Sequence, residues 1–255
     1  MEYRLQLTNV TGTVFVLVFG FGISVVTSAA VAARAYRVRG DQDAKKRQEL
    51  TVKGYARRRV RADLGVWTIR LQAEAVSLRA AYGSLEKAAT RVRAFLLENG
   101  FKPGELSLGS ISTDPHHRYD HRGRQTREVV SWSLDQNLVV TSSDVGRIAM
   151  TEGRVTNLLR EGLNVRSCSP QYTVSNIGEI KIAILGAASA DARVRATEIA
   201  TNSGCQVAEV RRARMGVLQI TRPNSTDVSS YGIYDTSTIE KDVSVVVTTT
   251  FGLRG

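Results

Sequence analysis

Residues Leu5–Ala33 form a run of 29 residues without a charge, bounded by Arg4 and Arg34. At about 1.5 Å of rise per residue, a helix of that length exceeds the roughly 30 Å hydrocarbon core of a bilayer. Its densest part carries Val14, Phe15, Leu17, Phe19, Phe21 and Ile23, the residues expected to anchor the chain. Every later apolar stretch is short and interrupted by charge. The sequence therefore divides into an N-terminal membrane anchor (1–33), a basic linker (34–48) and a folded body (49–255). A cleaved signal peptide is the alternative, because Ala30-Val31-Ala32 and Ala33-Arg34-Ala35 offer small-x-small sites. Two features favour a retained anchor: the n-region is barely positive, and the run is longer than the usual ~7–15-residue h-region.

The net charge is +11, and its placement matters more than its size. Between Arg34 and Arg61 eleven Lys/Arg face Asp41, Asp43 and Glu49, which puts +8 of the +11 in 28 residues. Basic residues beside a membrane segment meet anionic headgroups, each contributing about 1 kcal/mol. Arg34, Arg37, Arg39, Arg57, Arg58 and Arg59 are accordingly expected to touch the membrane surface as a collar. Nucleic acid is the other general partner of such a patch. Only Tyr36 and Tyr55 are interleaved for base stacking, which counts against it. Counting Lys/Arg would keep the collar side in the cytoplasm, although long domains translocate regardless of flanking charge.

From Glu49 the pattern is that of strands. Leu50, Val52 and Gly54 alternate, and Trp67, Ile69, Leu71 and Ala73 line one side of a strand at Leu64–Ala75, with Arg61-Ala62-Asp63 as the turn between. Ser77 is placed to cap a helix running to Asn99, with Leu78, Tyr82, Leu85, Ala89, Val92 and Leu96 on one face. A strand from Glu105 to Ser112, a polar loop Thr113–Glu128 and a long strand Val129–Val140 follow. Ser143 is read as the cap of a second helix ending at Gly162, and Val165–Val174 as a strand. A third helix runs from Asn176 to Ser203 with Ala188, Ala192, Ala196 and Ala200 at every fourth position. Strands at Val207–Ile220 and Val243–Phe251 flank a Ser/Thr/Asn-rich loop. The order β-β-α-β-β-α-β-α-β-β predicts an α+β fold with a mostly antiparallel or mixed sheet covered by helices.

The chemistry-bearing residues are few. His116, His117, Asp120 and His121 fall within six residues, a set of ligand types that suits a transition metal and so a metal-dependent enzyme. Arg118, Arg122, Arg124 and Arg127 crowd the same stretch and repel a cation, so a solvated hairpin tip is the plainer reading. There is no G-x-S-x-G elbow, no Walker loop and no dinucleotide fingerprint. No catalytic, cofactor or metal residue is assigned, and the chain is read as non-enzymatic. Cys168 and Cys205 are too few for a disulfide framework, and the sequence leaves open whether they pair.

Read in order, the body resembles the SIMPL-domain (DUF541) family, which includes the YggE-like periplasmic immunogenic proteins. The resemblance begins with Leu50-Thr51-Val52-Lys53-Gly54, with Ala56 where a second glycine is usual and Ala62-Asp63 where members have Pro-Asp. It continues through Leu96-Leu97-Glu98-Asn99-Gly100-Phe101, Glu105-Leu106, Tyr119 and Gly123, and the alanine-rich third helix closing on Gly204. It implies an extracytoplasmic, usually periplasmic or cell-surface domain. It further implies self-assembly into large rings or cages and a structural or envelope-stress role. It supplies no catalytic or ligand-binding residue. Val243–Val247 is the stretch expected to pair across subunits by edge addition.

Overall fold

The computed structural model describes residues 28, 30–35, 37 and 48–254. The expected anchor residues Val14, Phe15, Leu17, Phe19, Phe21 and Ile23 lie outside the described residues, as does Arg39. Residues 28, 30–35 and 37 are helical and exposed, and among the described residues no helix is long and apolar enough to cross a membrane.

The α+β expectation holds, as two mostly antiparallel five-stranded sheets rather than one. The strands are β1 (Glu49–Arg61), β2 (Leu64–Ala75), β3 (Leu106–Tyr119), β4 (Gln125–Ser142), β5 (Asn164–Ser167), β6 (Gln171–Thr173), β7 (Gln206–Met215), β8 (Gln219–Thr221), β9 (Ile233–Tyr234) and β10 (Glu240–Arg254). The helices are α1 (Leu78–Glu98), α2 (Val145–Thr151) and α3 (Ile177–Asn202). One sheet has the order β1-β10-β8-β9, with β7 also on β10; the other has β3-β4-β2-β5, with β6 also on β2. The chain forms two compact units. Among the described residues, the smaller combines those up to Gly54 with Ala192–Arg214 and Thr248–Arg254; the larger combines Tyr55–Asp191 with Met215–Val247.

In the larger unit the core follows the strand alternation. Trp67, Ile69 and Leu71 of β2 and Leu134, Leu138 and Val140 of β4 are buried with Leu85, Val92 and Leu96 of α1. Ser77 caps α1 through a hydrogen bond from Ala80 N, worth about 1 kcal/mol. Leu78 and Tyr82, expected on the buried face, are exposed instead, and Ala81, Ala88 and Phe95 take their place. In the smaller unit Ala192 and Ala196 of α3 pack with Val52 and Phe251, the small side chains letting helix and strand backbones approach closely.

Four sequence readings need correction. The Arg61-Ala62-Asp63 corner joins strands of different sheets: Ala62 N donates to Ile239 O at 2.8 Å and Asp63 N to Thr173 O at 3.1 Å. The second helix is capped by Asp144, whose side chain accepts from Arg147 N, and it breaks after Thr151 before a 3-10 segment at Val155–Glu161. The strand expected at Val165–Val174 is divided into β5 and β6 around Pro170, which has no N–H for a ladder. The strand expected at Val207–Ile220 ends as β7 at Met215 and resumes as β8.

Candidate functional site

The polar residues of β1 and β10 converge on Asp242. Alternation places Arg57, Arg59 and Arg61 on one face of β1. Arg59 Nε donates to Asp242 Oδ1 at 3.0 Å, and Arg57 also donates to this carboxylate. The backbone N–H of Asn224 completes the set at 2.8 Å. Asp242 is only 2% exposed, so it leaves water for three charge-assisted or backbone donors. The Arg59 hydrogen bond, and the one from Arg57, hold its carboxyl well below the usual carboxylate range against the effect of burial.

The neighbouring Lys241 points to the other side and is fully buried. Its Nζ donates to Asp235 O and Thr238 O, each at 2.6 Å, and lies 3.4 Å from Asp235 Oδ2. Burial lowers the Lys241 pKa below the usual lysine range, while Asp235 pulls the other way. Burial would raise the Asp235 carboxyl, but hydrogen bonds from Thr238 and Ser237 and the Lys241 charge bring it down to about 2. Every donor of Lys241 is occupied, so this pair anchors the 222–240 loop and presents no reactive amine. Of the expected collar, Arg57 and Arg59 thus spend their charge on Asp242, and Arg61 pairs with Glu240 at 3.3 Å. Arg58, Arg34 and Arg37 are exposed.

His116 and His117 lie in a strand, and only His121 lies in a turn. β3 and β4 form a long hairpin ribbon whose turn spans only Asp120–Arg124, with His116 opposite Ser131 and His117 opposite Val129. Its strands look polar because much of the ribbon faces water, which hides the alternation that marks a half-buried strand. Asp120 serves the turn, accepting from Arg122 N at 2.8 Å and from Arg124 N at 3.0 Å. Among the described residues no three His, Cys, Asp or Glu side chains gather as a metal-ligand set. Cys168 and Cys205 are free thiols.

The edge expectation also changes. Val243, Val245 and Val247 are buried in β10, an interior strand with β1 and β8 as neighbours. β1, β9, β3 and β5 end the two sheets, and β3 is the longest of them, fourteen residues and exposed almost throughout. Sequence reading found its first half as the strand Glu105–Ser112 and took the rest for a loop, because the apolar content there is low. A register shift between Leu108 and Ile111 bulges β3, and a cavity of about 550 Å³ opens there, lined by Arg70, Ser110, Ile111, Ser112, Asp135, Gln136 and Asn137.

These two sheets and their helices define an α+β protein with one long β3–β4 hairpin. Residues 50–251 match the SIMPL family model, described as a protein of unknown function (DUF541), and the chain belongs to this family. No curated protein matches it. Among solved structures, that of an uncharacterized conserved protein from Listeria innocua covers 75% of this chain and 91% of its own at 9% identity. Its TM-score of 0.18 is too low to carry any argument about fold or function.

Proposed function

We propose that this SIMPL-domain protein is a non-enzymatic, membrane-anchored subunit that self-assembles into a large ring or cage in the cell envelope. Its role is structural or stress-related, and the body faces the extracytoplasmic side. The observation that supports assembly most directly is β3, a fourteen-residue strand at the end of its sheet with only β4 as a partner among the described residues. A long exposed edge is a template for another strand unless it is blocked. The uncharged Leu5–Ala33 run supports the anchor, and the chain offers no nucleophile or phosphate-loop motif.

The test is the mass of the detergent-solubilised full-length protein by light scattering coupled to size exclusion. The expected particle is many times 27.9 kDa. Ile111→Lys, which sets a charge on the β3 edge, is expected to return it to smaller species with unchanged circular dichroism. A wild-type monomer overturns the reading.

A further inference from the structure

The second sheet has one face covered by α1 and one face left to solvent. On β2, Trp67, Ile69 and Leu71 point to the covered face, so Thr68, Arg70, Gln72 and Glu74 point away. Across the strands, Arg70 stands opposite Asn137 on β4 and opposite Arg166 on β5. The next row, Gln72, stands opposite Asp135 and Asn164.

The two rows differ in how their polar groups are satisfied. Gln72 Nε2 donates to Ser133 Oγ at 3.2 Å, and Asn164 Nδ2 donates to Gln72 Oε1 at 3.1 Å. Further along, Ser131 Oγ donates to Glu74 at 2.6 Å. Among the described residues no hydrogen bond or ion pair reaches the guanidinium of Arg70 or of Arg166. Two like charges directly opposite on antiparallel strands repel. With no carboxylate bonded to either, both exposed guanidinium groups are open to an anion from solution.

What lies beside the pair narrows the anion. The guanidinium fork matches the oxygens of phosphate, and two forks suit a dianion. Arg70 is also a wall of the cavity of about 550 Å³ that reaches the β3 bulge. The rest of that wall includes Ser110, Ser112, Asn137 and the carboxylate of Asp135. Asp135 repels a second anionic group but accepts hydrogen bonds from hydroxyls. A ligand with a phosphate at one end and hydroxyls at the other satisfies both halves.

We infer that the uncovered face of this sheet binds a phosphate monoester of a polyol or sugar, its phosphate held by Arg70 and Arg166 and its hydroxyls by Asp135, Asn137 and Ser112. A free sugar phosphate and a phosphorylated lipid headgroup share this chemistry. Its phosphate half, Arg70 and Arg166, lies on β2 and β5, while Ser112 lies on the β3 edge strand, so the two arginine variants are the arm of the test that is separate from assembly.

Two arms test it on the full-length protein in detergent or reconstituted with lipid. Calorimetry uses glucose 6-phosphate, with glucose as the uncharged control. Flotation uses phosphatidylcholine vesicles with and without phosphatidylinositol 4-phosphate. Binding in either arm is expected, with at least a tenfold loss in Arg70→Gln and in Arg166→Gln. Asp135→Asn is expected to lower the preference for glucose 6-phosphate over inorganic phosphate, because it weakens a hydroxyl acceptor and removes a charge that repels phosphate. All three side chains are on the solvent-facing side of the sheet, and circular dichroism checks that the variants remain folded. No binding in either arm at millimolar ligand overturns the proposal, as does binding that persists undiminished in Arg70→Gln.

Discussion

Arg59 grips Asp242 with two nitrogens, Nε at 3.0 Å from Oδ1 and a terminal nitrogen at 3.2 Å from Oδ2. The same guanidinium reaches Asn224 Oδ1 at 3.0 Å. One buried carboxylate therefore ties β1, β10 and the start of the 222–240 loop together. This converts part of an apparent membrane-binding charge cluster into internal structure.

Removing that carboxylate leaves two arginines side by side on one face of β1 without their shared counter-ion. Asp242→Ala is expected to destabilise the larger unit by about 2–4 kcal/mol, the lower end applying because Arg57 and Arg59 are partly hydrated. Arg57→Ala alone is expected to lower stability by much less, because Arg59 and Asn224 still hold the carboxylate. Urea midpoints at constant slope measure both, and an Asp242→Ala midpoint equal to wild type refutes the clasp.

Acid should act through Asp235. Its folded-state carboxyl is brought down to about 2, below the unfolded value near 3.8. A depressed folded pKa gives stability that is complete above the unfolded value and lost as pH falls toward the folded one. The expected loss between about pH 4 and pH 2 is about 2 kcal/mol. Thermal melts across that window should show a shallower slope for Asp235→Asn than for wild type.

Gly232 and Gly65 make a contrasting pair. Gly232 has φ +90°, and a Cβ there would lie 2.9 Å from Val217 Cγ1 and 3.1 Å from Leu218 O. A Cβ on Gly65 would meet the Ile148 Cδ1 methyl at 2.7 Å, a side-chain end that can move. Gly232→Ala is expected to cost about 1–3 kcal/mol and Gly65→Ala less, judged by melting temperature. Equal costs contradict the assigned loop conformation.

The collar can now be probed without disturbing the fold. Arg34→Glu, Arg37→Glu and Arg58→Glu together are expected to weaken binding to anionic vesicles while leaving the melting temperature unchanged. Arg57→Glu and Arg59→Glu should instead lower the melting temperature, because they set a carboxylate against Asp242. Vesicle binding untouched by the first triple variant removes the collar.

The sequence by itself determined the elements whose signal is local. Ser77 and the apolar repeat specified α1, and the alternation of Trp67, Ile69, Leu71 and Ala73 specified β2 and its buried face. The alanines at every fourth position of α3 are buried as their small size requires. Tertiary structure alone decided strand partnership: β1 and β2 are neighbours in sequence but belong to different sheets, and Val243–Val247 became an interior strand instead of an edge. It also decided that Arg57 and Arg59 meet Asp242 across more than 180 residues of chain, and that Arg70 stands opposite Arg166. The physical reason is that side-chain periodicity reports which face of a segment avoids water. Which strand lies alongside, and which charge it brings, depends on backbone hydrogen bonds between residues far apart in the chain.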